Sequence, residues 1–348
     1  MGNFSNQQRI LYVVIFGSVK GVSGTPIRIN RWIGALKQLD IPHEVITFDS
    51  MPEKEILSYL NSKVRKEDII FTLNHYGVFK IRKLIKTIKP NVIVDIHGLQ
   101  SIEIFRNYLR KLKFKLLENF VNFVILKNRI TSITVCNQIA RMNLLNLGKR
   151  NFVVQGGLNK LNPTKINELK INPSVQIISY IGNGREYQGI HYLIETITSS
   201  NFLKTNNAEL FTLIDGTLTI YKHNAVQKIL SIDQHQSEWL MCNSSLLVIP
   251  RPETKISRYS FPSKVYDYLS SGTNIVASNA FEKLPKELEI SINRFKVETH
   301  RDVLDALTNL LKNAKFNRCK HPDVFDDLYA RYSWDAQLSQ IINYTVEE

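Results

Sequence analysis

The stretch that decides the fold covers residues 247–278, LVIPRPETKISRYSFPSKVYDYLSSGTNIVAS. Its apolar start predicts a strand, its polar middle predicts a loop, and Pro262 and Ser263 open a helix. Ser263 is expected to cap that helix, since its hydroxyl can accept from a free backbone N–H of the first turn. Gly272 predicts the end of the helix at a left-handed position, and residues 275–277 begin the next buried strand. This succession predicts a βαβ unit of a parallel sheet.

The predicted helix carries a cation and a carboxylate on one face. Lys264 stands in the first turn, and Asp267 follows three residues later. A helix start favours negative charge, so a cation there suits a phosphate, and a carboxylate one turn deeper suits ribose hydroxyls. Such a pair also occurs on ordinary solvated helices. The residues alone therefore leave a structural role open beside the nucleotide-binding one.

The rest of the chain repeats the same rhythm. Strands and helices alternate through the first half, a polar segment at residues 158–173 follows, and the alternation then restarts. Residues 222–230 are predicted to form an amphipathic element. The pattern predicts an α/β fold with two Rossmann-like domains, and in such sheets the ligand binds at the carboxyl ends of the strands. We expect an N-terminal domain over residues 1–160 and a C-terminal domain over residues 174–325.

Composition narrows the class of protein. The chain has 348 residues, a formal net charge of +14 and three cysteines without metal-ligand spacing. Scattered cysteines fit a reducing cytoplasm, and no apolar run approaches the roughly 20 residues needed to cross a bilayer. We also expect no secretory signal, because the first apolar run is short. The charge allows anionic substrates or an anionic membrane surface as partners. Nucleic acid is disfavoured, because no RNA- or DNA-binding motif is present.

A glycine-rich turn follows the first strand predicted in the second half. Gly182 and Gly184 would let a phosphate approach the backbone, and Arg185 would pair with it. The spacing matches neither a Walker loop nor a dinucleotide-binding fingerprint. A purely structural turn explains this stretch equally well.

A histidine ends the predicted strand at residues 91–96. His97 would point toward the ligand and bond a substrate hydroxyl, or it would be satisfied locally by the backbone or by Asp95.

The predicted helix at residues 104–126 interleaves basic and apolar side chains. It suits either an anionic bilayer or a core helix with a solvated basic face.

Several segments together resemble the retaining glycosyltransferases of the two-Rossmann-domain (GT-B) kind, family 4, also called group 1 transferases. They are residues 133–148, 152–159, 180–194, 247–278 and 332–334, of which the Pro-Ser-Lys segment is the most specific. The resemblance implies two Rossmann-like domains facing across a cleft, with a C-terminal helix over residues 326–348 that returns to the first domain.

The resemblance also implies roles for individual residues. His97, Arg185 and Lys264 are the expected catalytic residues: His97 would stand near the transferred sugar, while the two cations would neutralise the donor diphosphate. Asp267 would hold the ribose. The donor-site residues that it implies are Gly24, Thr25, Gly182, Gly184, Pro262, Ser263 and Asp267.

The implied function is a cytoplasmic transferase that needs no metal and no cofactor besides its donor. It would move a sugar from a UDP- or GDP-linked donor to a glycan or lipid-linked acceptor at the inner membrane face.

Three positions depart from the family pattern, since Asn183, Gln188 and Tyr259 stand where an arginine, a lysine and a glutamate are usual. A degenerate partner or chaperone of another transferase is therefore the alternative. A sugar-nucleotide epimerase is disfavoured, because the chain offers few acid and base groups for that chemistry. The sequence does not fix the oligomeric state.

Overall fold

The computed structural model forms two compact α/β units. One unit consists of Met1–Gln155 and Trp334–Glu348, and the other of Gly156–Ser333. The residues that the structure describes are 9–17, 24–98, 108–143, 145, 150–166, 169, 172, 174–229, 231–295, 299–313 and 322–347.

The first unit is built on a six-stranded parallel sheet. Its strands are β1 (Leu11–Ile15), β2 (His43–Thr47), β3 (Ile69–Leu73), β4 (Asn91–Ile96), β5 (Thr131–Thr134) and β6 (Asn151–Val153). They lie in the order β2-β1-β3-β4-β5-β6. The helices between them are α1 (Gly24–Gln38), α2 (Glu53–Lys63), α3 (Asn74–Thr87), α4 (Tyr108–Lys127) and α5 (Asn137–Met142). Every residue of β1 and β3 is buried, as expected for strands covered on both faces.

The second unit is built on a seven-stranded sheet. Its strands are β7 (Gln176–Gly182), β8 (Ala208–Ile214), β9 (Thr217–Lys222), β10 (Ala225–Ile229), β11 (Leu246–Ile249), β12 (Asn274–Ser278) and β13 (Ile292–Phe295). They lie in the order β10-β9-β8-β7-β11-β12-β13, and β9 and β10 are antiparallel to their neighbours.

The second unit's helices are mostly short. They are α6 (Ile190–Thr198), α7 (Phe202–Thr205), α8 (Gln234–Asn243), α9 (Lys255–Arg258), α10 (Lys264–Ser270), α11 (Lys286–Glu289), α12 (His300–Asn313) and α13 (Pro322–Tyr332). Gly272 follows α10 with a φ of 68°, the left-handed conformation predicted for it. Of the predicted amphipathic element at residues 222–230, residues 222–229 are the end of β9 and the whole of β10, joined by a tight turn, and Leu230 lies outside the described residues.

The C-terminal region differs from the single helix predicted at residues 326–348. Helix α13 ends at Tyr332, and α14 runs from Trp334 to Glu347. The break lies at Ser333, which forms an isolated parallel bridge with Leu158. The backbone N–H of Leu158 donates to the carbonyl of Tyr332, the last residue of α13, at 2.9 Å, so the chain pairs with a neighbouring segment where that helix ends.

Helix α14 belongs to the core of the first unit. Trp334, Leu338, Ile341 and Ile342 are buried in the same apolar cluster as β1, β3 and α1. The Trp334 ring stands edge-on to Trp32 with centroids 4.6 Å apart.

The two units divide at Gln155–Gly156, before the linker predicted at residues 158–173. In the described part of the chain, no helix has both the length and the apolar character that crossing a membrane requires.

Candidate functional site

The candidate site lies at the topological switch point of the second unit's sheet. The chain passes from β7 to β8 on one side and later places β11 on the other side of β7. The connections leaving β7 and β11 therefore diverge and open a crevice at the carboxyl ends of those strands, where ligands of open α/β sheets bind. The loops that line this crevice are residues 183–189 after β7 and residues 250–263 after β11.

Gly189, in the loop after β7, is required by close packing, and Gly182, the last residue of β7, leaves space for a neighbouring side chain. Gly189 has a φ of 73°, and a Cβ on it would collide with the carbonyl group of Pro250. A Cβ on Gly182 would overlap the ammonium group of Lys264. The first glycine lets the loop after β7 lie against the loop after β11. The second leaves room for a cation beside the end of β7.

Lys264 places a buried cation in this crevice. The residue as a whole is half-buried, but its Nζ is buried and has no hydrogen-bond partner among the described residues. The nitrogen lies 4.0 Å from the centroid of the Tyr180 ring. Burial, followed by the charge of Arg251, holds the pKa of Lys264 well below its ordinary value, although Asp215 and Asp267 act in the opposite direction. A buried ammonium without a bonded anion is costly, so the crevice favours an anionic ligand.

Arg251 supplies a second buried cation. It stands two residues after the end of β11, and its Nε donates to Oε1 of Gln188 at 3.2 Å. Its Nη1 donates to Oγ of Ser260 at 3.0 Å, and its guanidinium lies 5.6 Å from the centroid of the Tyr187 ring. Burial lowers the pKa of Arg251 to about 10. Sequence reasoning predicted a polar loop here but did not single out Arg251. The available signal was an arginine at the carboxyl end of a buried strand.

Two departures from the family pattern have structural roles here. Gln188, where a lysine is usual, is buried and orients Arg251 through its side-chain oxygen. Asn183, where an arginine is usual, shapes its own loop. Its backbone carbonyl accepts from the hydroxyl of Tyr180 at 2.8 Å, and its side-chain oxygen accepts from the backbone N–H of Arg185 at 3.3 Å.

Arg185 differs from the other two cations in its environment. Its side chain is exposed, and its Nη1 lies 3.5 Å from the hydroxyl of Tyr187, at the limit of a hydrogen bond. Arg251, rather than Arg185, is the cation whose charge lowers the pKa of Lys264. The structure therefore gives the buried part of the site to Lys264 and Arg251, and it leaves Arg185 on the rim of the loop. Gly184, the next residue upstream, donates its backbone N–H to Asp215 at 3.4 Å.

Asp267 is held in place by a residue far away in sequence. Its Oδ1 accepts from Nδ2 of Asn159 at 2.8 Å, and the backbone N–H of Asn159 donates to Oγ of Ser270 at 2.9 Å. Asn159 is buried, whereas Asp267 is half-buried. The carboxylate is thus fixed one turn below Lys264, although the predicted contact with a ribose stays a prediction.

The predicted cap by Ser263 is wrong. Ser263 has φ −52° and ψ −28°, which is a helical conformation, and its side chain makes no capping hydrogen bond. A capping side chain needs an extended backbone to reach the first turn. Here the chain turns one residue earlier, and the backbone N–H of Val265 donates to the carbonyl of Pro262 at 3.0 Å. The side chain of Ser263 is exposed.

His97, predicted to be catalytic, follows β4 in the first unit. Burial lowers the pKa of His97, while the charge of Asp95 and a hydrogen bond to the Asp95 backbone partly offset that effect. Since the ordinary pKa of histidine is about 6.5, the imidazole is neutral at neutral pH. The local interaction with Asp95 is one of the two alternatives that the sequence left open. A role beside the transferred sugar stays a prediction.

Asp95 is the centre of a buried ion pair in the first unit. Arg28 donates from Nε to Oδ2 at 2.7 Å and from Nη2 to Oδ1 at 3.1 Å, and Trp32 donates from Nε1 to Oδ2 at 2.8 Å. Burial would raise the pKa of Asp95, but the charges of Arg28 and His97 and these hydrogen bonds outweigh it and lower the pKa. Sequence reasoning identified neither Arg28 nor this pair.

Gly24 and Thr25 were predicted to approach the phosphate and the sugar. They are the first two residues of α1. Residues 18–23, which precede them, lie outside the described residues. Their expected contacts with a donor therefore stay predictions.

Comparison with known proteins places the fold. The chain matches no protein-family model and no protein of curated function. Sucrose-phosphate synthase from Thermosynechococcus elongatus matches with a TM-score of 0.68 at 12% identity, over 97% of this chain and 99% of that one. The α,α-trehalose-phosphate synthase (UDP-forming) from Burkholderia xenovorans matches with a TM-score of 0.62 at 9% identity, over 97% and 99%. HepE from Anabaena, solved in complex with UDP-glucose, matches with a TM-score of 0.58 at 11% identity, over 97% and 100%.

The sucrose-phosphate synthase and the trehalose-phosphate synthase are GT-B glycosyltransferases, and both match over nearly the whole chain. The protein therefore has the GT-B fold, with two Rossmann-like α/β units. This confirms the fold class predicted from the sequence.

Proposed function

We propose that the protein is a glycosyltransferase that works in the cytoplasm. It moves a hexose from a nucleoside diphosphate sugar, UDP- or GDP-linked, to a saccharide or lipid-linked acceptor. The reaction retains the configuration of the sugar and belongs to the synthesis of a cell-surface polysaccharide or glycoconjugate.

One observation carries the proposal. The buried Nζ of Lys264 has no hydrogen-bond partner among the described residues, and it lies beside Gly182 at the carboxyl end of β7. Arg251 adds a second buried cation in the same crevice. Among the described residues, no carboxylate is bonded to either cation. Two such cations suit a dianionic diphosphate, because charge-assisted bonds to phosphate are strongest where water is excluded.

The chemistry follows from that arrangement. When the bond between the sugar and the diphosphate breaks, negative charge develops on the leaving oxygen. Lys264 and Arg251 stabilise that charge from fixed positions, which is the largest contribution that a protein usually makes to such a reaction. The acceptor oxygen forms the new glycosidic bond, and its proton passes to the departing diphosphate. Because protein cations already neutralise the diphosphate, we propose that transfer needs no metal ion.

The structural neighbours support the donor class. HepE from Anabaena was solved with UDP-glucose bound, and the Burkholderia synthase is a UDP-forming enzyme. The GT-B fold that this chain shares with them is compatible with a sugar nucleotide bound at the switch point of the second unit.

A panel of sugar nucleotides tests the proposal. Binding of each UDP and GDP sugar would be measured by calorimetry, and release of the nucleoside diphosphate by a coupled assay, with and without EDTA. We expect at least one donor to bind and to turn over in EDTA, and we expect Asp267→Asn to weaken its binding. Asp326→Asn, an exposed carboxylate on α13, is the matched control. If neither wild type nor variant binds any nucleotide, the proposal is wrong.

A second candidate function has its own support. Gln188 and Asn183 carry no charge, and Gln188 uses its side-chain oxygen to orient Arg251. A degenerate transferase that binds an active partner would tolerate such replacements. It predicts a stable complex with another glycosyltransferase and no turnover of any donor, so the same assay separates the two functions.

A further inference from the structure

Helix α4 of the first unit presents a row of large apolar side chains to solvent. These exposed residues, called here the apolar stripe, are Tyr108, Leu109, Leu112, Leu116, Phe120 and Phe123, with exposed fractions between 46% and 78%. From Leu109 onward they are three or four residues apart, so they share one side of the helix. A contiguous apolar surface of this kind on a soluble protein marks an interaction site.

The opposite side of α4 is packed into the first unit. Val121 and Ile125 are buried there, together with the polar side chains of Asn122 and Glu118. Nδ2 of Asn122 donates to Oδ1 of Asn143 at 2.8 Å. The helix is therefore fixed by its inner face, and the apolar stripe is held outward by packing.

The inner face of α4 is also tied to α3. Oδ1 of Asn122 lies 2.9 Å from Nε2 of His75, the second residue of α3. A buried hydrogen bond of this kind fixes the rotation of α4 about its axis, because turning the helix would leave both polar groups unpaired. The stripe thus has one defined orientation on the surface of the unit.

The charges around the apolar stripe are positive. The exposed cations of α4 are Arg110, Lys111, Lys113 and Lys127. The one carboxylate in α4 is Glu118, which is buried on the inner face. The neighbouring helix α3 contains no acidic residue and exposes Lys83 and Lys86.

A chain of contacts links the stripe to the cations of α3. The ring of Phe79 stands edge-on to Phe120 with centroids 6.3 Å apart. The guanidinium of Arg82 lies 3.9 Å from the centroid of the Phe79 ring. The positive charge of α3 therefore borders the apolar stripe directly.

We propose that this face of the first unit docks on an anionic lipid bilayer. The apolar stripe would enter the boundary between headgroups and acyl chains, with Tyr108 and the phenylalanines at headgroup level, while the cations of α3 and α4 contact lipid phosphates. The charge argues against a second copy of this chain as the occupant, since two such faces would bring like charges together. The inference concerns a different unit from the candidate donor site and does not rest on the proposed function.

Vesicle flotation with the whole protein and no donor tests this docking. The vesicles are pure phosphatidylcholine, or phosphatidylcholine with phosphatidylglycerol. We expect binding to the anionic vesicles that is at least about tenfold tighter than to the neutral ones and that weakens as salt is added. The double variant Leu116→Ser with Phe123→Ser should lose at least about tenfold in that affinity. Its control is Val226→Ser with Ile290→Ser, two exposed apolar residues of the second unit.

A charge pair keeps the test valid if the stripe variant folds poorly. Lys111→Glu with Lys113→Glu should also lose vesicle binding, whereas Lys204→Glu with Lys228→Glu, exposed lysines of the second unit, should retain most of it. No binding to anionic vesicles, equal binding to neutral ones, or full binding by both the stripe and the charge variants would overturn the proposal. A lipid-free dimer that the stripe variant converts to monomer, without vesicle binding, would assign the face to a second copy instead.

Discussion

The Nζ of Lys264 lies 4.0 Å from the centroid of the Tyr180 ring and has no hydrogen-bond partner among the described residues. Tyr180 is itself buried, and its hydroxyl is committed to the carbonyl of Asn183. The ring face offers a cation weaker stabilisation than an anion would. The folded protein thus holds a buried basic group whose natural partner is an anionic ligand.

The first prediction concerns stability and binding at this lysine. Lys264→Met removes a buried charge and keeps much of its volume, so we expect the free energy of unfolding to rise by about 1 to 3 kcal/mol. Donor affinity should fall by about 1.5 to 3 kcal/mol, because a charge-assisted bond to phosphate is lost. Thermal unfolding and nucleotide calorimetry measure the two effects.

Arg185→Met serves as the comparison for that variant. Arg185 is exposed, so its loss should change stability little and should weaken donor binding less than Lys264→Met does. The reverse order of affinities would place the diphosphate elsewhere in the loop.

The second prediction is a pH dependence. Burial and Arg251 lower the pKa of Lys264 in the folded protein. Between that lowered pKa and the ordinary value of about 10.5, the unfolded chain binds the proton more tightly than the folded protein does. The free energy of unfolding should therefore rise as pH rises across this window and fall as pH falls through it. The melting temperature of wild type should therefore approach that of Lys264→Met as pH is raised toward the upper end of the window.

The same pKa shift predicts proton uptake on ligand binding. A bound diphosphate would raise the pKa of Lys264 toward its ordinary value, since an adjacent anion favours the charged form. Calorimetry in buffers of different ionisation enthalpy should show that wild type takes up protons when it binds a nucleoside diphosphate. Uptake by Lys264→Met that equals the wild-type value would assign the proton to another group.

The third prediction concerns the loop after β7. Gly189 combines a φ of 73° with a Cβ position that the carbonyl of Pro250 occupies, so Gly189→Ala should cost at least about 2 kcal/mol of stability. Gly34→Ala is the matched control. Gly34 lies inside α1, and a Cβ there meets no atom within 4 Å, so the substitution should stabilise by about 0.5 to 1 kcal/mol. Denaturant unfolding measures both, and equal effects would contradict the close approach of the two loops.

The fourth prediction concerns the buried ion pair of the first unit. Asp95→Asn leaves the Arg28 guanidinium buried without its carboxylate, and we expect a loss of about 3 to 5 kcal/mol. In wild type the lowered pKa of Asp95 means that its contribution is present above the ordinary carboxyl pKa and is lost as pH falls through the lowered value. Acid unfolding of wild type and of Asp95→Asn tests this. The control is Asp49→Asn, which changes an exposed carboxylate of the same unit. A loss no larger than that of the control would mean that the pair contributes little.

The candidate site was predictable in part. Its loops follow from strand ends, and Lys264 and Asp267 follow from their spacing on one helix. Arg251 was not predictable as the second buried cation, because its burial depends on Gln188 and Tyr187, which another loop supplies. The predicted cap by Ser263 failed because the preceding turn, a matter of packing, had already brought the backbone into a helical conformation.

The sequence by itself determined the two α/β units, the βαβ succession around residues 247–278 and the left-handed end of α10 at Gly272. These depend on periodicity and on local backbone preferences, which neighbouring residues express. The tertiary structure alone decided the break at Ser333, the burial of the Lys264 ammonium without a hydrogen-bond partner among the described residues, and the apolar stripe of α4. Each of these depends on which distant residues come together, and a local pattern does not contain that information.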